Sequence, residues 1–159
     1  MQVRLERIDP LPAVYAYAFS DSPEEDATKK LMDWAKSRGL MENNSVSRLF
    51  GRNIYPTDKS EPHGYELYLT VKGAIEPEGD IKAGELPGGL YAVIRFKNLY
   101  RIGDAWEKLW NWIERSEYEH VGWKKEENGW VGGFEEQVNW KEQKQHTDWV
   151  FDLWVQLKE

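Results

Sequence analysis

The chain has 159 residues, enough to close one hydrophobic core without help from disulfides or metals, so a single domain over residues 1–159 is expected. It contains no cysteine, which excludes a disulfide framework, a thiolate metal cage and a cysteine nucleophile. The formal net charge of −7 argues against a nucleic-acid surface, because phosphate binding needs clustered Lys and Arg, and no apolar run is long enough to span a bilayer.

The opening MQVRLERIDP has no apolar secretory core, so a cytoplasmic protein with no membrane contact is expected. Gln2 to Ile8 reads as a first extended segment, and Val14-Tyr15-Ala16-Tyr17-Ala18-Phe19 as a strand, since aromatic and branched side chains suit a pleated surface. A helix over about 23 to 38 is well signalled. Ser22 can cap it, Pro23 suits its first position, Glu25 completes a capping box and Gly39 supplies the stop. Ala27, Leu31, Trp34 and Ala35 fall on one face of it. The acidic run Glu24-Glu25-Asp26 favours a helix N-terminus through the macrodipole.

Leu49 to Tyr55 and Tyr65 to Val71 follow as strands, joined through turn chemistry over Pro56 to Gly64. Ile75 to Gly89, rich in Glu, Gly and Pro, reads as a crossing loop without an element of its own. The order then repeats. Leu90 to Phe96 is a strand, and Ile102 to Arg115 a helix with Ala105, Leu109, Trp112 and Ile113 in a stripe. Trp130 to Trp140 and Trp149 to Leu157 form a closing pair of strands. The expected fold is α+β: two strand-helix-strand-strand units, about 1–75 and 88–159, forming a pseudo-two-fold antiparallel sheet with two helices and a central ligand cleft.

Nine Trp, eight Tyr and five Phe stand in an otherwise polar chain, and several are expected to line a pocket or interface as well as fill a core. His63, His120 and His146 are too scattered for a metal signature, and Gly88-Gly89 and Gly132-Gly133 lack the Lys and helix start of a phosphate loop. No metal and no cofactor are expected.

LPGGLYAVIRFKN, IGDAWEKLWNWIERSEYEH, GFEEQVNW and VFDLWVQL, together with LFGRNIYPTDKSEP and HGYELYLTV, resemble the GyrI-like effector-binding family, also met as the sensing half of MerR-type and AraC-type regulators. The resemblance implies an SHS2-type duplication and a lipophilic, often cationic, small-molecule ligand stacked among aromatics around a glutamate. By position in Phe134-Glu135-Glu136 that glutamate is Glu135. Alternation puts Glu136 on the other face, with Phe134, Val138 and Trp140, while Glu135 shares its face with Gln137 and Asn139. The same resemblance offers Glu66 and Tyr68 on one face of a hairpin strand, Trp149 at the start of the last strand, and Tyr100 at a rim.

A delocalised cation loses hydration in a dry cleft; a carboxylate restores the electrostatics and rings add dispersion and cation–π attraction. The leading expectation is therefore a stand-alone multidrug binder acting without catalysis or direct nucleic-acid contact. One rival is a GyrI-like hydrolase of reactive cytotoxic molecules, with Glu135 and Glu66 activating water. A second is a gyrase-protecting protein whose acidic surface meets a basic partner. No helix-turn-helix segment is expected ahead of the first strand, and no axial-ligand motif suggests haem.

Overall fold

The computed structural model describes residues 1–40, 47–54, 64–72, 76–122, 124–126, 129–131 and 133–159, and nothing below concerns the others. In chain order the strands are β1 (Val3–Ile8), β2 (Leu11–Phe19), β3 (Leu49–Ile54), β4 (Gly64–Thr70), β5 (Lys82–Leu86), β6 (Gly89–Lys97), β7 (Lys124–Glu126), β8 (Gly129–Val131), β9 (Gly133–Gln137) and β10 (Val150–Leu157). Helices α1 (Pro23–Ser37) and α2 (Ile102–Arg115) stand between β2 and β3 and between β6 and β7. The turn expected over 56 to 63 lies outside the described residues, as do Tyr55, His63, Ile75 and Gly132.

The chain divides into two compact units, a contiguous one over Pro12–Glu85 and a split one made of Met1–Leu11 and Leu86–Glu159. In the contiguous unit the strands lie in the order β3-β4-β2-β5, and in the split unit β9-β10-β6-β1. Strand-helix-strand-strand thus recurs as β2-α1-β3-β4 and β6-α2-β9-β10, with the last strand of each set flanked on both sides by strands of its own unit. The duplication expected from the sequence is present, and the fold is α+β. Strand exchange completes it: β1 precedes the contiguous unit but pairs with β6, and β5 lies beside β2.

β5 corrects the expectation of a featureless loop over Ile75 to Gly89. Its sequence, KAGEL, mixes charge with glycine, which is how an edge strand is written and why it looks like a loop. Gly84 allows close approach, since a Cβ there would sit 3.0 Å from the ring of Tyr15.

The ends of α1 follow local chemistry. Ser22 is the N-cap, but its side chain makes no capping bond. Its N–H donates to Ser20 Oγ at 3.2 Å, and Ser20 donates in turn to Asp26. The donor that Glu25 needs for a capping box is already used, so the expected box is absent. At the other end Gly39, with φ +70°, ends the helix as foreseen. Leu40 N–H reaches Ala35 O at 3.0 Å and Gly39 N–H reaches Lys36 O at 3.2 Å, the paired closure of a Schellman motif.

Each unit buries one face of its strands under its helix. In the contiguous unit Val14, Ala16, Leu67 and Leu69 share a face through the pairs Val14↔Leu69 and Ala16↔Leu67, and all are buried. α1 lies against β4 and buries Ala27, Leu31, Trp34 and Ala35 there. In the split unit Ala105, Leu109 and Ile113 of α2 pack on Ala92, Ile94, Phe96, Phe151, Leu153, Val155 and Leu157. Among the described residues the opposite face of each unit's strands is free of that unit's own helix.

The expected strand Trp130 to Trp140 is divided. β8 pairs with β7 as a separate two-stranded ribbon, β9 pairs with β10, and Trp140 stands in a 3-10 turn over Trp140–Glu142. Asn139 closes β9: its side-chain amide donates to Asp148 O at 3.0 Å and accepts from Val150 N–H at 2.9 Å.

Candidate functional site

In the contiguous unit the helix-free face carries Arg52, Glu66, Tyr68, Tyr15 and Tyr17, aligned by the register Arg52↔Glu66↔Tyr17 and Tyr68↔Tyr15. Glu66 and Tyr68 share a face, as alternation requires. One oxygen of Glu66, Oε1, accepts from Arg52 Nε at 2.7 Å, from Arg52 Nη2 and from Tyr68 Oη at 2.8 Å. Arg52 and Glu66 are 4% and 8% exposed, so this is a buried ion pair. Burial pulls the Arg52 guanidinium below its ordinary value, with Glu66 opposing the shift. Burial, then the charge of Glu66, pushes the phenols of Tyr68 and Tyr15 up, so both stay protonated. Tyr15 stacks on Tyr68 with ring centroids 4.7 Å apart.

In the split unit the register Leu153↔Glu135 puts Glu135 on the helix side, half-buried, beside the core under α2. Glu136, paired with Asp152, faces the other way and is buried. On its face Tyr91, Phe134 and Trp154 form an aromatic cluster: Tyr91 lies 5.5 Å from Phe134 and 5.6 Å from Trp154, centroid to centroid. Trp154 Nε1–H donates to Glu136 Oε1 at 3.3 Å, and Tyr91 Oη donates to Pro87 O at 2.6 Å. Phe134 and Glu136 thus share a face as alternation requires, while Val138 and Trp140, expected beside them, lie beyond the end of β9.

Beside it Asp152 accepts from Arg95 Nε at 2.8 Å and from Arg4 Nη2 at 2.9 Å. Burial alone would raise the Asp152 carboxyl, but the two guanidiniums outweigh it and hold the group below the usual carboxylate range. Arg95 is raised in return, by its hydrogen bonds to Asp152 above all.

Trp149 and Tyr100 lie on other elements. β10 starts one residue later than expected, at Val150, and Trp149 follows a 3-10 turn over His146–Asp148. Its indole N–H donates to Lys144 O at 2.8 Å, and its ring packs with the core under α2. Tyr100 is 74% exposed, edge-on to His146. Arg52, Tyr15, Tyr91 and Trp154 were not singled out from sequence, because their roles depend on partners in distant strands. The alternation of VFDLWVQL, which sets Asp152 and Trp154 on one face, was the readable signal.

Among the described residues no three His, Asp or Glu side chains gather as a metal site, and no helix is long and apolar enough to cross a membrane.

Two strand-helix-strand-strand units, each with a glutamate among rings on its helix-free face, define a domain of the effector-binding class. The GyrI-like small molecule binding domain matches residues 1–128, and the chain belongs to that family. No curated protein matches it by sequence. Among solved structures it is similar to the EcmrR C-terminal domain, at TM-score 0.70 and 16% identity over 99% of this chain and 98% of that one. In the EcmrR–DNA complex the match, at TM-score 0.71 and 16% identity over 99% of this chain, spans 57% of the EcmrR chain. It is also similar to a hydrolase from Listeria innocua, at TM-score 0.71 and 7% identity, covering 99% and 92% of the two chains. A fourth likeness is to SAV2435 bound to tetraphenylphosphonium, at TM-score 0.53 and 13% identity, covering 99% and 94%. At these identities the likenesses establish the fold.

Proposed function

We propose that this domain binds lipophilic organic cations and that Glu136 is the carboxylate that receives the charge. The carrying observation is the buried Glu136 on the helix-free face, beside Tyr91, Phe134 and Trp154. A carboxylate kept among rings suits a large, weakly hydrated cation, because aromatic faces and a nearby negative charge both favour it and neither demands a fixed hydrogen-bond geometry. Several cations of different shape should therefore compete for it. SAV2435, a neighbour in fold, binds tetraphenylphosphonium, which makes that ion the natural first probe.

Glu135, on the helix side, is the alternative carboxylate, and paired substitutions separate the two. Titration of tetraphenylphosphonium, followed by tryptophan fluorescence, should be saturable in the native protein. Glu136→Gln should weaken it about tenfold or more, the scale of one lost close charge interaction, while Glu135→Gln leaves it within about threefold. The reverse order would transfer the role to Glu135. No saturable binding would overturn the cation reading.

A further inference from the structure

We propose that Arg52 is a specificity-determining residue: it occupies the cation position at Glu66, so that the contiguous unit presents a neutral pair to a ligand. The inference rests on the cation-binding reading above and adds to it what the buried Glu66 presents to a ligand's charge.

The geometry is that of an occupied site. Three donors converge on Glu66 Oε1, two from one guanidinium and one from the Tyr68 hydroxyl. Both partners are almost fully buried, so little solvent screens the pair, and its charges cancel at close range. The rings on this face, Tyr15 stacked on Tyr68 and Tyr17 at 43% exposure, can meet an apolar ligand. A cation arriving there meets a guanidinium already seated on the carboxylate that would attract it. Attraction to Glu66 and repulsion from Arg52 then nearly cancel, and the face favours uncharged aromatic surface. Neutralising either partner alone breaks the balance, in opposite directions, and neutralising both restores it.

The test is a two-by-two comparison of native protein, Arg52→Met, Glu66→Gln and the double variant, each confirmed folded by circular dichroism. Each is titrated with tetraphenylphosphonium and with neutral triphenylphosphine oxide, both as such and in a Glu136→Gln background, where the face of the contiguous unit is read by itself. Arg52→Met should tighten the cation about tenfold and Glu66→Gln should weaken it by a similar factor. The double variant should return to within about threefold of native, and the neutral probe should change little throughout. A double variant as weak as Glu66→Gln would overturn the inference, since Glu66 would then act directly on the cation. So would a gain in Arg52→Met that the neutral probe shares. Should Arg52→Met not fold, Arg52→Gln takes its place, and the Glu66→Gln/Arg52→Gln double variant decides in the same way. If native protein binds neither probe, the functional reading fails separately. Cation binding gained by Arg52→Met and lost again in the double variant would still uphold the masking, and its absence would overturn it.

Discussion

Both units set an acid on the helix-free face of a central strand and clamp it with arginine, yet they bury the clamp differently. In the contiguous unit Arg52 is enclosed together with Glu66. In the split unit Asp152 is 2% exposed, while the side chains of Arg95 and Arg4 remain 55% and 37% exposed. A guanidinium with access to water keeps part of its hydration when its partner is lost; an enclosed one does not. The same pairing is thus a structural liability in one unit and a moderate support in the other.

The comparison breaks most readily at Glu66. Glu66→Gln removes the charge that Glu66 sets against the enclosed Arg52 and should cost about 3–5 kcal/mol, read as a large fall in the urea midpoint. A loss below about 1 kcal/mol would mean that Arg52 is not dependent on Glu66. Next comes Gly133→Ala. A Cβ there would lie 2.4 Å from the backbone oxygen of Trp154, which cannot swing aside, and a cost of about 3 kcal/mol is expected from chemical denaturation.

Asp152→Asn should cost less, about 1.5–3 kcal/mol, because only charge-assisted bonds to half-exposed arginines weaken. It also carries a pH signature. The folded pKa of Asp152 lies below its unfolded value, so its contribution is fully present above about pH 4 and is lost as pH falls through the folded value. Denaturation midpoints should therefore decline on the acid side in native protein, and less steeply in Asp152→Asn. The mildest change is Gly84→Ala, under about 1 kcal/mol, since the Tyr15 ring that it meets can rotate away while the Trp154 backbone cannot. Its readout is the near-ultraviolet tyrosine signal, which should shift as the Tyr15–Tyr68 stack adjusts.

Much of this architecture is legible in the residues. The helices were bounded closely because Pro23, Gly39 and the two apolar stripes are local signals that need no partner. The facing of Glu135 and Glu136 was half legible. Alternation separates them, but which side α2 covers is decided by the pairing of Leu153 with Glu135, a contact between distant residues. β5 was missed for a related reason, since an edge strand is held by one neighbour and needs no apolar alternation of its own. Arg52 looked like an ordinary strand residue until its register with Glu66 was known. Sequence thus conveyed what the backbone does locally and left the pairing of charges to the sheet.

The exchange of β1 sets an order of events during synthesis. Val3 pairs with Ile94, so β1 leaves the ribosome with the whole contiguous unit still to be made before its partner strand exists. At about 5–20 residues per second it must wait several seconds without its sheet. The contiguous unit, whose α1, β3 and β4 arrive soon after β2, can assemble during that interval. The split unit cannot close until β10 has left the ribosome to pair with β6, which makes that strand the timing element of the split unit.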